Sequence, residues 1–346
     1  MGAGGNGHGL GNPYRHRDRR RHGSHVLRVG RGRGPSIGPG RRTPSRSEPR
    51  ALVLGAAAGG GFPQWNCRCA VCALAWDGDP RVTPRTQSSV AVTGDNGSWA
   101  LLNASPDLPQ QIRANADLWP RGSLRDSPIG TVVITSADVD HVAGLLSLRE
   151  RQPFRLVALA PVHADLRDNP VFGVLADGVV ERIEARPGEP VETAGLTLEL
   201  VPVPGKAPLY REGTDPAIGS EAGEATAVIA RAGRTTLAYV PGCAALTPVL
   251  LERLGTADIL LFDGTLYNDE EMIAAGVGTK TGRRMGHLPI AGPGGSLERL
   301  RGLPARRKIY IHINNTNPIL VAGSAERAAI EAAGFEAAFD GMEISL

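Results

Sequence analysis

Three apolar runs of strand length in this chain end on metal-binding residue types, so a workable fold must account for where those ends lie. Thr131 to Thr135 leads into Ser136-Ala-Asp138-Val-Asp140-His141, Leu260-Leu-Phe into Asp263, and Lys308-Ile-Tyr-Ile into His312. Side chains at the ends of buried strands are displayed along one rim of a sheet, and Asp140, His141 and His312 can meet only if their strands share that rim. The stretch His312-Ile-Asn-Asn-Thr-Asn317 is polar where a buried strand would stay apolar. A lone histidine at a strand end is usually a satisfied core or rim residue. After residue 50, however, the histidines are His141, His163, His287 and His312, and three of them sit in motifs.

Strand-length, β-branched runs bounded by Gly, Pro or Asp recur along the chain: Ala51–Leu54, Ser88–Thr93, Trp99–Asn103, Thr131–Thr135, Phe154–Ala160, Leu196–Val203, Thr226–Ile229, Thr235–Val240, Ile259–Phe262, Lys308–Ile313 and Phe335–Leu346. Helical patterns fall at His141–Arg151, His163–Asn169, Leu246–Leu254, Leu297–Leu303 and Ala325–Ala333. Runs of strands with helices inserted outside them predict an α/β fold of αββα layering, two sheets face to face with helices on both outer faces. A doubly wound sheet is the alternative, because Gly55 to Gly61 follows a strand as a dinucleotide loop would. Pro63 and the cysteines stand where that loop's helix should start.

Residues 1–50 hold twelve Arg against Asp18 and Glu48, a charge of +10, while the whole chain is +3, so the remainder is acidic. With almost no large apolar groups, residues 1–48 cannot bury enough surface to offset chain entropy and are expected to be a disordered basic tail before a single domain over 49–346. Such a tail can touch nucleic acid or a membrane surface, but composition favours a solvated extension, and no base-reading module follows. No apolar run approaches the ~18 residues of a membrane span and the tail lacks a secretory apolar stretch, so a cytoplasmic protein is expected.

Cys67-Arg-Cys69-Ala-Val-Cys72 puts three thiols within six residues. That spacing is too tight and too odd in number for disulfides and suits a structural zinc, the alternative being three ordinary buried thiols. His163, His287, Cys243 or a polar residue near His312 could supply a fourth ligand. At the second cluster, Asp138, Asp140 and His141 follow a strand and precede a helical run, a setting for Zn, Fe or Mn; either aspartate could instead cap the helix. Met285-Gly-His287 lies in a Gly-rich loop with Lys280, Arg283 and Arg284, which can cover a pocket for an anionic substrate or simply be solvated.

Longer segments carry a resemblance. Gly55-Ala-Ala-Ala-Gly-Gly-Gly-Phe-Pro-Gln-Trp-Asn-Cys67, Pro84-Arg-Thr-Gln-Ser-Ser89, Asn103-Ala-Ser-Pro-Asp107, Asp140-His141 with Gly144 to Glu150, Asp263-Gly-Thr-Leu266, Met285-Gly-His287 and His312 to Pro318 are similar to the pyrroloquinoline quinone (PQQ) biosynthesis protein B family of the metallo-β-lactamase superfamily. The resemblance covers about Ala51 to Leu346 and implies the superfamily's four-layer sandwich. The usual superfamily motif, His-x-His-x-Asp-His, reads Ser136-Ala-Asp138-Val-Asp140-His141 here, so two hydrolase ligands are lost. The resemblance implies an active metal, Fe2+ or Zn2+, on Asp140, His141 and His312, with Asp138, Asp263 and His287 as catalytic residues and zinc on the cysteines. It further implies hydroxylation of the tyrosine of a Glu-Tyr precursor of PQQ. Non-catalytic binding or transport of PQQ or its precursor toward the periplasm and a metal-dependent hydrolase are the alternatives. The partner is then a small dipeptide-like precursor, and a homodimer is compatible with this reading.

Overall fold

A computed structural model describes Met1 and residues 48–94, 97–213 and 216–346. The expectation of a disordered tail over 1–48 therefore lies outside the described residues, apart from Met1 and Glu48.

The first half of the described chain supplies strands β1 (Arg50–Gly55), β2 (Ser89–Thr93), β3 (Trp99–Leu102), β4 (Ile129–Val133), β5 (Phe154–Ala158) and β6 (Val180–Glu184). The second half supplies β7 (Pro190–Thr193), β8 (Leu196–Pro202), β9 (Thr226–Ala232), β10 (Thr235–Val240), β11 (Ile259–Asp263), β12 (Arg307–Ile311), β13 (Phe335–Ala337) and β14 (Glu343–Ser345). They form two seven-stranded sheets, ordered β14-β1-β2-β3-β4-β5-β6 and β13-β12-β11-β10-β9-β8-β7. Strands β3 to β6 run parallel, as do β10 to β13.

Side-chain alternation explains the layers. In β11, Ile259 and Leu261 join Val53, Val92, Leu102 and Val133 of the other sheet in the central core. The intervening Leu260 and Phe262 pack outward with Leu250, Leu254, Leu300 and Ile330 from helices. Across the molecule Leu52, Leu101, Val132 and Leu156 face outward onto Leu108, Leu145 and Val162. Strands covered on both faces read as continuous apolar runs, which is why β11 and β12 stand out in the sequence. Each fully buried Leu, Ile or Val contributes about 1.5–3 kcal/mol relative to exposure. The αββα sandwich is thus observed, and the doubly wound alternative is not.

Several element expectations differ from the structure. Phe335–Leu346 is two strands in different sheets: β13 pairs with β12 and β14 with β1, with Gly341 at φ 86 between them. The helical run expected from His141 to Arg151 is only a four-residue helix, Val139–Val142, continued as a 3-10 turn from Ala143 to Leu148. Gly144 lies so close to the Ala104–Ser105 backbone that any side chain there would collide with it. Strands β6 and β7 were not expected; they are edge strands whose exposed charged and polar residues interrupt the apolar pattern.

The carboxyl ends of the parallel strands from both sheets open on one rim, where ligands gather in α/β sheets. At this rim the sheets are laced together: the Ile313 amide donates to Ala56 O at 2.9 Å and the Ala58 amide to Ile313 O at 2.9 Å. Among the described residues, no helix is long and apolar enough to cross a membrane.

Candidate metal centre

Two non-glycine residues adopt left-handed backbone directly after rim strands, Asn103 (φ 67) after β3 and His312 (φ 58) after β12. Such conformations cost about 1 kcal/mol or more and persist where surrounding contacts impose them. Asn103 uses the turn to receive the Thr135 amide at 2.9 Å and to donate to Thr135 Oγ1 at 2.9 Å, fixing the start of the segment that carries Asp138, Asp140 and His141. His312 is turned so that Nε2 lies 3.0 Å from Asp140 Oδ2 and Nδ1 lies 2.8 Å from Thr265 Oγ1.

The ligand atoms of Asp140, His141 and His312 all lie within 4.8 Å of one another, and so do those of Asp263, His287 and His312. The strand-end residues expected to meet therefore do meet. Ser136 Oγ is 2.8 Å from His141 Nδ1, which leaves His141 Nε2 buried with no hydrogen-bond partner. A buried ring nitrogen without a partner is costly, and a metal ion is one partner that would satisfy it. The donor set of two imidazoles and a carboxylate suits zinc or iron.

The charges are arranged accordingly. Burial disfavours ionisation of Asp140, yet the neighbouring His141 ring and the hydrogen bond from His312 hold its carboxyl well below the usual range. Burial drives the His141 ring below its ordinary value, against the pull of Asp140. Burial likewise opposes charge on His312, but the hydrogen bond to Asp140 outweighs it and raises its pKa. Asp263 is fully buried; His287 overcomes the cost and keeps the carboxyl below its ordinary range.

Asp263 Oδ2 accepts from the Cys243 amide at 3.0 Å and lies 2.8 Å from His287 Nδ1. Thr265 Oγ1 stands 2.7 Å from Asp263 Oδ1 and 3.1 Å from His287 Nδ1, so this hydroxyl ties both histidines to one carboxylate. Asp138 precedes the short helix without a side-chain capping bond; its Oδ2 accepts from Ser136 Oγ at 2.8 Å. Asp138, His287 and the three ligand-type residues line one cavity of about 550 Å³. The glycine loop after β1 packs against this floor, since a Cβ at Gly59 would sit 3.4 Å from Asp140 Cγ. Thr279, Lys280, Met285 and Gly286 form part of the cavity wall, the position expected for the 276–286 loop.

Ligand atoms of Cys67, Cys69 and Cys72 form a third group within 4.8 Å, and all three thiols are free of disulfides. Burial pushes the Cys72 thiol up to about 12, so a thiolate there calls for a cation beside it. Asn315 Nδ2 points at the sulfurs, 3.2 Å from Cys67 Sγ and 3.3 Å from Cys72 Sγ. That amide donates its N–H to the sulfurs and so does not itself ligate; three converging sulfurs suit tetrahedral zinc with one further ligand. Of the candidates for the fourth position, the polar residue near His312 is the one beside the sulfurs. His163 instead sits 2.9 Å from Ile183 O, His287 is engaged by Asp263, and the Cys243 thiol donates to Ala245 O.

Sequence reasoning met Asn315 only as one of the polar residues after His312 and did not single out Thr265, Lys206 or Glu212. The first two lie inside quoted motifs; the last two become recognisable only when distant loops are brought together.

Residues 98–313 match the beta-lactamase superfamily domain. The chain is 54% identical over 298 residues to coenzyme PQQ synthesis protein B of Methylobacterium nodulans, covering 86% of this chain and 100% of that one. It is 52% identical over 301 residues to the protein of the same name from Rhizobium meliloti, covering 87% and 99%. The crystal structure of Zn(2+)-bound PqqB from Methylobacterium extorquens superposes with a TM-score of 0.84 at 52% identity, over 86% of this chain and 100% of that chain. A diphosphatase of the PhnP family shares the fold at a TM-score of 0.62 and 22% identity, over 86% and 97% of the chains. The chain thus belongs to the coenzyme PQQ synthesis protein B family of the β-lactamase superfamily.

Proposed function

We propose that this protein acts in PQQ biosynthesis as a metal-dependent hydroxylase of the tyrosine ring in a Glu-Tyr precursor, with Asp140, His141 and His312 holding the active metal. The observation that carries this reading is the unpartnered, buried His141 Nε2 among converging ligand atoms at a cavity wall. Iron bound there would supply dioxygen activation and zinc would supply Lewis acidity.

The chain's own residues do the rest. Thr265 and Ser136 orient the imidazoles, and the Asp263–His287 pair can hold or move a proton at the ring nitrogen facing the cavity. Asp138, tied to Ser136, places a carboxylate at the same wall. Ser136 and Asp138 replace the two leading histidines of the usual superfamily motif, which weighs against a dinuclear hydrolase. Ring hydroxylation puts one atom of dioxygen into the substrate and the other into water, and so consumes two electrons from an external reductant. Cys67, Cys69 and Cys72 hold a separate structural zinc in this reading, with the Asn315 amide donating to their sulfurs, and the setting is cytoplasmic.

The test is to load anaerobic protein with Fe(II), add glutamyl-tyrosine and a reductant, and admit oxygen. Uptake coupled to a hydroxylated tyrosine supports the proposal. Binding of PQQ without oxygen uptake would mark a carrier, and ester or amide cleavage without oxygen a hydrolase; either result overturns it.

A further inference from the structure

Two loops far apart in sequence place a group of cations in the cavity wall. Glu212, with a side chain only 6% exposed, lies 2.6 Å from Lys206 Nζ, 2.9 Å from Lys280 Nζ and 3.4 Å from Arg284 Nη1. Burial alone would disfavour its charge, but hydrogen bonds from Lys206 and Lys280 lower its pKa to about 2, so it is ionised at neutral pH. Three cations against one carboxylate leave a charge of +2 beside a cavity that Lys206, Glu212 and Lys280 all line.

The cluster also lies close to the ligand rim. Gly286, at φ 85, immediately precedes His287, and a Cβ built on it would meet Lys206 Cγ at 3.1 Å. The aliphatic stem of Lys206 therefore runs against the backbone that delivers His287. The Lys206 side chain is only 12% exposed. Desolvation strengthens its attraction for an anion. Glu212 shows which anion the cluster accommodates: a carboxylate already occupies one side of it.

We propose that Lys206 and Lys280 form a subsite for a substrate carboxylate, so that the cavity binds a small organic acid with its carboxylate at the lysines and its reacting part toward His287 and His312. The site takes a carboxylate because the surplus charge is left over after Glu212 is paired. This inference rests on the cavity being the substrate site of the proposed function.

Its test is binding to the zinc-loaded full chain by calorimetry, using two probes. Trimesate, a rigid benzene tricarboxylate unrelated to the precursor, tests the subsite; glutamyl-tyrosine tests the function reading as well. Lys206→Met and Lys280→Met should each weaken trimesate binding at least tenfold, while Glu212→Gln, which raises the surplus charge, should tighten it. Lys206→Met keeps the stem against Gly286, and Lys280 is exposed enough that Lys280→Met leaves the fold intact should the first variant misfold. Absent trimesate binding, or binding equal in wild type, Lys280→Met and Glu212→Gln, overturns the subsite. Trimesate binding with this pattern but no glutamyl-tyrosine binding overturns the function reading and leaves the subsite standing.

Discussion

His312 Nε2 lies 3.0 Å from Asp140 Oδ2, although 172 residues separate them in the chain. One partner follows β4 in the first sheet and the other follows β12 in the second, so this contact records the docking of the two sheets at a single rim. Because the contact involves residue types that ligate metals, function and stability should come apart when it is removed. His312→Ala should remain soluble with near-normal circular dichroism, lose the second metal, and fail to restore PQQ production in a strain lacking its own copy. His163→Ala, whose ring hydrogen-bonds Ile183 O instead, serves as control. Equal restoration by the two variants would show that the rim is not where the chemistry occurs.

The cysteine group should behave in the opposite way. Binding energy at a closed zinc site is folding energy, because the unfolded chain offers no preformed site. Cys69→Ser should release one zinc equivalent and lower the melting temperature by more than about 5 °C, which for a domain of this size corresponds to roughly 3 kcal/mol. Metal analysis and thermal melts decide it: full zinc content with an unchanged melt would remove the structural role.

Glu271 gives a pH dependence whose sign is fixed. Burial pushes its carboxyl up from 4.5 to about 7, against hydrogen bonds from Thr316 and the Tyr267 amide. The folded state thus holds this proton more tightly than the unfolded chain. The associated stability is fully present below pH 4.5 and is lost as pH rises toward about 7, at up to about 1.4 kcal/mol per pH unit. Glu271→Gln keeps the group uncharged and should match wild type near pH 4 but melt higher at pH 8. Parallel melting curves across that range would refute the assignment.

Deleting residues 1–48 should leave the fold and metal content intact. Among the described residues, the N-terminal end is tied down by Leu346 N donating to Pro49 O at 2.9 Å and by Arg50 pairing with Asp117 at 2.8 Å. Aggregation of the truncated protein, or loss of its ability to restore PQQ production, would assign the basic segment a role.

What could be read from the sequence was what depends on burial and residue type. Ile259 to Phe262 and Ile309 to Ile311 are apolar because both faces of β11 and β12 are covered, and their ends stand out for that reason. The helices Ala70–Trp76 and Leu108–Ala114 went unread; each is seven residues long, with too few turns to show a periodic stripe. The ligand types Asp140, His141 and His312 were legible, whereas the partners that aim them were not. Thr265 is an ordinary threonine until it is seen between Asp263, His287 and His312. Asn315 becomes distinctive only beside three sulfurs some 250 residues away.

The pairing of β1 with β14 has a consequence for how the protein is made. Arg50 aligns with Ser345, and Asp340, just before β14, receives the amides of Ala56 at 3.0 Å and Thr86 at 2.7 Å. The strand that opens the first sheet thus waits nearly three hundred residues for its outer neighbour. Contacts of such long range close late and slow folding. During synthesis on the ribosome, one edge of the first sheet stays uncovered until almost all of the second sheet has emerged, so the nascent chain is most open to misassociation before residues 340–345 appear.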